Sequence, residues 1–187
     1  MAKKANFLKQ FWQEKKMVGA MSPSSKYLAN LMLKNIDFKK ARVLIELGPG
    51  TGVFTKRILE LMPTDAKLLV FELNDTFFKN LSEEIHDNRM ILIHDSAEHI
   101  QKYLNENGLI HADYIISSLP LANFPNKLKT AILDASYEAM VNNGKYVQFQ
   151  YSLNSRKNLE DRFESVHISF TPLNFPPAFV YTCLKNK

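Results

Sequence analysis

The stretch RVLIELGPGTG, residues 42–52, decides how this chain is to be read. Its first half, residues 42–47, is a near-continuous apolar run and reads as a buried strand. Gly48, Gly50 and Gly52 then interrupt it at alternate positions. Glycine lets a backbone turn tightly and lie close to a ligand where a Cβ would collide. A helical pattern follows over residues 52–62, so free N–H groups at a helix N-terminus face whatever the turn holds.

Working outward, the same alternation repeats. Strands are expected at residues 67–73 (KLLVFEL), 90–94 (MILIH), 113–118 (DYIISS) and 145–151 (KYVQFQY). Helical patterns separate them at residues 75–86, from Ser96 onward, and at residues 126–141, where Asn142-Asn143-Gly144 reads as a helix stop. Near-continuous apolar strands alternating with helices predict a parallel sheet covered on both faces. Residues 164–170 and 178–184 break the pattern, being strands joined by a Pro-rich turn with no long helix between them. The expectation is one α/β Rossmann-like domain, a mostly parallel seven-stranded sheet with an antiparallel C-terminal strand. Residues 1–38 form a basic helical segment of that domain, and residues 39–187 its ligand-binding body.

Composition narrows the class. The 187 residues are 45% hydrophobic and 23% charged, a globular balance with enough chain to bury a core. Cys183 is the single cysteine, so no internal disulfide can form and a reducing cytoplasm is expected. No stretch approaches the roughly 20 apolar residues needed to cross a bilayer. The basic N-terminus also lacks the apolar core and cleavage site of a signal peptide. The net charge of +5 is unevenly spread, since residues 1–42 carry ten Lys/Arg against Glu14 and Asp37. The basic end suits an anionic partner, either a lipid surface or a nucleic acid, or is a solvated helix face.

The glycine turn admits two nucleotide chemistries. A pyrophosphate-binding turn uses G-x-G-x-x-G, whereas this one is G-P-G-T-G with Glu46 before it. An acid there repels a pyrophosphate and attracts a cationic sulfonium nucleoside or its ammonium group. A phosphate-binding Walker loop is excluded because no Gly-Lys-Ser/Thr follows. The second strand ends in Glu72, twenty residues past Gly52, placed to accept hydrogen bonds from ribose hydroxyls. Asp95-Ser96-Ala97 follows the third, where a carboxylate can accept an adenine amino proton. A strand-end acid is also a common helix cap. Three strand ends carrying glycines or acids in this order favour a cofactor site.

VLIELGPGTG (residues 43–52), Glu72 and Asp95 together resemble the class I S-adenosylmethionine-dependent methyltransferase signature. The resemblance implies that Glu46 and the turn through Gly48, Gly50, Thr51 and Gly52 hold the methionine part of S-adenosyl-L-methionine. Glu72 with Leu73 then takes the ribose, and Asp95 with Ser96 and Ala97 the adenine.

The methyl acceptor is expected beyond the fourth strand, at Ser117-Ser118-Leu119-Pro120-Leu121. Pro120 rigidifies this loop, leaving the Ser118 hydroxyl and nearby carbonyls to orient an amine; an ordinary strand-to-helix loop is the alternative. Ribosomal RNA adenine dimethyltransferases carry a similar loop, Asn-Leu-Pro and an aromatic, whose ring stacks on the flipped base. Here Ser118 and Leu121 replace the amide and the ring, and the helical RNA-contacting domain of that family has no counterpart in these residues. The chain more closely resembles the bacterial phospholipid N-methyltransferase family, which methylates phosphatidylethanolamine. The matching segments are residues 19–25 (GAMSPSS), 118–121 (SLPL), 147–152 (VQFQYS) and 174–178 (NFPPA). Phe179 departs from the pattern, standing where a basic residue is usual.

The N-terminus is consistent with that likeness. On a helical wheel Phe7, Leu8, Phe11, Trp12 and Val18 share one face, Lys4 and Lys15 lie within or beside it, and Lys9 and Lys16 lie outside it. Such a helix suits the headgroup layer of an anionic membrane, each Lys adding about 1 kcal/mol; alternatively its apolar face packs on the domain. Ser22 reads as an N-cap with Pro23 at N1, and Ser24 and Ser25 could also close over the cofactor's carboxylate. Leu119 and Pro120 line the expected substrate side with Phe7, Phe11, Trp12, Lys15 and Lys16. Tyr27, Ser118 and Tyr151 are the candidates to take a proton from the acceptor ammonium or to bind its cationic head. His94, His99 and His111 have no identifiable partner and read as surface or strand-end residues; no metal-ligand cluster exists. The expected protein is a monomeric, cytoplasmic, peripherally membrane-associated enzyme acting on an aminophospholipid. RNA or small-amine methylation and a non-catalytic binding protein are the alternatives.

Overall fold

Each apolar run forms a strand. The computed structural model describes residues 23–186, with side chains from Tyr27 onward. In chain order the elements are α1 (Pro23–Leu33), β1 (Val43–Leu47), α2 (Val53–Leu61), β2 (Lys67–Phe71), α3 (Asp75–Glu84) and β3 (Met90–Ile93). There follow α4 (Ile100–Glu106), β4 (Ala112–Ser117), α5 (Asn126–Ala139), β5 (Met140–Gln150), α6 (Arg156–Glu160), β6 (Ser165–Thr171) and β7 (Ala178–Leu184). Short 3-10 turns at Ala97–His99 and Leu121–Asn123 lead into α4 and α5.

The seven strands form one sheet in the order β3-β2-β1-β4-β5-β7-β6. The first five are parallel, and β7 runs antiparallel to both neighbours, as expected from the Pro-rich turn. The chain passes from β1 to β2 on one side and returns to β4 on the other. That reversal opens a crevice at the carboxyl ends of β1 and β4, where such sheets bind ligands. Backbone bonds fix the crevice edge: Gly48 N–H donates to Phe71 O at 2.9 Å, Glu72 N–H to Ile93 O at 3.0 Å and Ser118 N–H to Leu47 O at 2.9 Å. Gly48, Glu72 and Ser118 therefore leave the sheet at one level.

Alternation along each strand sorts side chains between two cores. Ile45, Leu47, Leu69, Phe71, Ile115 and Tyr146 pack with Ile100 of α4, Ile132 of α5 and Leu159 of α6. Leu44, Leu68, Val70, Ile116 and Val147 pack with Met32 of α1, Ile58 of α2 and Leu81 of α3. By this parity Glu46 falls on the second face, beneath α2, where the pattern otherwise places apolar residues.

The largest departure from expectation is at the join between α5 and β5. Asn142-Asn143-Gly144 is not a helix stop: α5 ends at Ala139 and β5 starts at Met140. Ala112 pairs with Met140 but Tyr114 with Lys145, so the intervening residues bulge from the ladder. Asn143 makes that excursion with a left-handed φ of 62°, which a short polar side chain tolerates. The helix α6 escaped notice because a five-residue element with one fully buried side chain, Leu159, has no readable period. Phe7, Phe11, Trp12, Lys15 and Lys16, and the side chains of Ser24 and Ser25, lie outside what is described. No helix among the described residues is long and apolar enough to cross a membrane.

Candidate active site

The crevice begins with a buried acid. Glu46 is wholly inaccessible, and neither carboxyl oxygen has a hydrogen-bond partner among the described residues. Burial pushes its pKa up to about 8; the adjacent Thr55 hydroxyl opposes the rise, and the Glu72 charge adds to it. A buried polar group without a partner is costly and rare. Glu46 is therefore poised for a donor brought by a ligand, and a cation would restore its charge.

The turn above it is shaped for close approach. Gly50 has φ 58°, and a Cβ there would meet nothing within 4 Å, so the backbone is bare toward the crevice. Gly48 is constrained in the opposite sense: at φ 69°, its Cβ would sit 2.7 Å from Leu119 Cδ2. The turn after β1 is thus packed directly against the loop after β4.

Glu72 sets the next wall. Its Oε2 accepts from Gly50 N–H at 3.1 Å and its Oε1 from Asn74 N–H at 2.8 Å. Burial raises its pKa to about 7 despite these bonds. Asn74 also caps α3, its Oδ1 accepting from Thr76 and Phe77 N–H, so the Glu72 segment is rigidly held.

Asp95 completes the row. Its Oδ1 accepts from Ser96 N–H at 2.7 Å and lies 3.0 Å from His99 Nδ1, while Oδ2 accepts from the Tyr103 hydroxyl at 3.0 Å. Burial alone would raise its pKa, but these hydrogen bonds outweigh it and hold the carboxyl below the ordinary range. Gly48, Glu72, Leu73, Asp95, Ser96 and Ala97 line one pocket, floored by Phe71, Leu119, Phe124 and Ile132. A flat apolar ring fits that floor, with ionised Asp95 at its rim. The unsatisfied Glu46, bare Gly50 and paired acids Glu72 and Asp95 fit S-adenosyl-L-methionine.

A second cleft opens on the other side of Leu119. It is lined by Ser118, Leu119, Pro120, Ala122, Asn123, Phe149, Gln150, Tyr151 and Ser152, none formally charged. The Ser118 hydroxyl is buried and has no partner among the described residues. Phe149 and Tyr151 meet edge to face at 5.6 Å. Burial raises the Tyr151 phenol above its usual pKa, with Asn174 beside it opposing.

Several expectations change. The Leu119 carbonyl is not free to orient an amine: the side-chain amides of Gln148 and Gln150 donate to it at 2.9 and 2.8 Å, and Tyr146 O–H buttresses Gln148 Oε1 at 2.7 Å. Leu121 is fully buried. His99 and His94 do have partners, Asp95 for the first; His94 stacks on Phe78 at 4.5 Å, with Nε2 3.3 Å from Asp75 Oδ1. His111 is exposed. Ser118 and Tyr151 come together in one cleft, whereas Tyr27, 53% exposed on α1, is not among its lining residues. Thr51 is exposed at the turn. Gln148, Gln150, His99 and Tyr103 were missed. The signal in the sequence is the four-residue spacing of Asp95, His99 and Tyr103, which the 3-10 turn and α4 bring together. Among the described residues no group of acids, histidines or cysteines could hold a metal.

Comparison with known proteins gives the family and the fold. The family model for ribosomal RNA adenine dimethylases matches residues 21–160. An ornithine lipid N-methyltransferase from Singulisphaera acidiphila is 28% identical over 95% of this chain and 93% of its own length. Among solved structures, the N-methyltransferase NodS from Bradyrhizobium japonicum WM9, in complex with S-adenosyl-L-homocysteine, superposes with a TM-score of 0.73 at 9% identity, covering 96% of this chain and 98% of that one. An rRNA methylase from Streptococcus thermophilus gives a TM-score of 0.65 at 13% identity over 90% of this chain and all of its own.

Proposed function

The chain belongs to the ribosomal RNA adenine dimethylase family and is an S-adenosylmethionine-dependent methyltransferase, and from that premise we propose that it methylates the amine of a membrane lipid head group. Phosphatidylethanolamine is the model acceptor. The observation that carries this reading is the near end-to-end similarity to an ornithine lipid N-methyltransferase. The acceptor cleft supports it: Leu121, where an RNA-modifying loop would present a stacking ring, is turned into the core.

When bound, S-adenosyl-L-methionine supplies a methyl group activated by its sulfonium. Glu46 would hold the ammonium of the methionine part, with the bare backbone at Gly50 allowing close approach. Glu72 would take the ribose hydroxyls. Asp95, oriented by His99 and Tyr103, would accept the adenine amino proton. Across Leu119, the Ser118 hydroxyl would hold an acceptor N–H and point the nitrogen lone pair toward the cofactor half. Positioning of that kind is the main contribution a protein makes to an in-line displacement.

The acceptor must arrive as a neutral amine. The Tyr151 phenol, its pKa raised by burial, stays protonated at neutral pH and is no base. Its role is then to donate a hydrogen bond or to face the developing cationic nitrogen with its ring. The proton leaves to water at the mouth, where Tyr151 is 43% exposed. The basic N-terminal segment, with Phe7, Phe11, Trp12, Lys15 and Lys16, would hold the enzyme on an anionic membrane. Flotation with anionic liposomes should be lost on replacing Phe11 and Trp12 with Asp.

The deciding experiment offers radiolabelled S-adenosyl-L-methionine with extracted lipids, total RNA and protein. Label in a chloroform-soluble product is expected. Label confined to RNA would overturn the lipid acceptor and favour adenine, the reading that the family match also supports.

A further inference from the structure

Exposed large apolar side chains are unevenly distributed. Tyr151, Leu153, Phe170, Leu173 and Phe175 all stand between 43% and 87% exposed, Phe175 the most. Tyr151 and Leu153 belong to the segment after β5, Phe170 to the end of β6, and Leu173 and Phe175 to the β6–β7 turn. Because β7 runs antiparallel to both β5 and β6, those strands point the same way, and both connections lie at the carboxyl edge where the acceptor cleft opens. Phe179 binds the corner together, pairing with Gln150 on one side and Phe170 on the other. The Tyr181 hydroxyl donates to Ser152 O at 3.2 Å, Asn174 sits beside the Tyr151 hydroxyl, and the Phe170 and Phe179 rings are 5.1 Å apart. Asn174 Nδ2 donates to Pro176 O at 2.6 Å, holding the turn so that Leu173 and Phe175 project outward.

The chemistry of this corner selects its partner. Residues 151–155 and 165–184 contain no Asp, Glu, Lys or Arg. A nucleic-acid surface needs cations to neutralise phosphates, and these two segments offer none; Arg156, which follows the first, is paired with Glu160. A rigid, uncharged, apolar projection beside a substrate cleft instead matches the boundary between head groups and acyl chains. Building on the lipid-acceptor reading, we propose that Leu153, Leu173 and Phe175 insert into the bilayer at the cleft mouth, so the amine reaches Ser118 while its lipid stays in the membrane.

The test uses the full-length enzyme and vesicles of equal parts phosphatidylethanolamine and phosphatidylglycerol. Leu173→Asp combined with Phe175→Asp, both solvent-facing, should lower vesicle binding and methyl transfer from vesicle lipid by about thirtyfold, the loss of two apolar anchors. Transfer to the same lipid dispersed in detergent should be unchanged. A second enzyme carries Phe175→Trp in a Trp12→Phe background, with vesicles whose acyl chains are brominated. Its indole fluorescence should be quenched on binding. An unquenched indole, or vesicle binding unaltered in the double Asp variant, overturns the proposal. So does a solution dimer that the double Asp variant dissociates, which would assign the corner to a second copy of the chain. If no lipid is methylated in either format, the acceptor reading falls, and quenching still decides the docking surface.

Discussion

The two halves of the crevice are built from opposite materials. The half at the ends of β1, β2 and β3 is acidic and closed, with Glu46 and Glu72 almost wholly buried and Asp95 held by three donors. The half at the ends of β4 and β5 holds no formal charge and opens onto an apolar corner. A cofactor carrying positive charge and a nucleoside requires fixed acceptors, and on the proposed reading Glu72 and Asp95 are held ready by hydrogen bonds while Glu46 is left without a partner. An acceptor that must be neutral to react is better met by hydroxyls, amides and rings, which do not stabilise its ammonium form. Leu119 divides the two and touches both.

That contrast can be broken at defined points. Glu46→Gln removes the charge but keeps the shape, and should weaken cofactor binding about a hundredfold by titration calorimetry, a charged hydrogen bond in a buried site being lost. Acceptor KM should hardly move. The same variant tests the pH dependence of stability. Glu46 is raised from 4.5 to about 8 on folding, so the folded chain keeps a proton that the unfolded chain gives up. Its contribution is fully present below about pH 4.5 and lost as pH rises through about 8. The cofactor-free enzyme should therefore be easier to denature at pH 9 than at pH 6, and Glu46→Gln should flatten that slope. A slope that the variant leaves unchanged or steepens would mean that Glu46 is ionised in the free enzyme.

Gly48→Ala strikes the divider. A Cβ against Leu119 at a left-handed φ should cost about 1–3 kcal/mol in chemical denaturation and raise both cofactor Kd and acceptor KM. If only one half responds, the two are not coupled through Leu119. Ser118→Ala should lower kcat/KM for the acceptor about tenfold, the loss of one hydrogen bond, with cofactor Kd unchanged. Smallest is Gln150→Leu, which leaves the Leu119 carbonyl to Gln148 alone. A loss of about 1 kcal/mol, a several-fold drop in acceptor turnover, is expected in steady-state kinetics.

The acids that line the first half of the crevice are legible in the sequence. Glu46, Glu72 and Asp95 each end or follow an apolar run, and strand ends in a parallel sheet converge on one edge whatever the helices do. The supports of Asp95 were not legible, because His99 and Tyr103 look like ordinary helix residues until the 3-10 turn and α4 bring them to the loop. The acceptor half was harder still. Ser118 and Tyr151 were named, but the occupation of the Leu119 carbonyl by Gln148 and Gln150 depends on β5 lying beside β4 in one register. The bulge at residues 141–144, which local composition disguised as a helix stop, offsets that register.

Local chemistry thus specified the alternating fold, the glycine turn and the acids at the strand ends, because each depends on residues near one another in the chain. The partition of the crevice, its glutamine clamp and its apolar mouth arise from contacts between distant segments. Gly48 meets Leu119, and the Tyr151–Leu153 segment meets the Leu173–Phe175 turn, only because β4 returns beside β1 and β7 reverses between β5 and β6. Strand order and direction bring those groups together, and neither is a property of any single stretch of sequence.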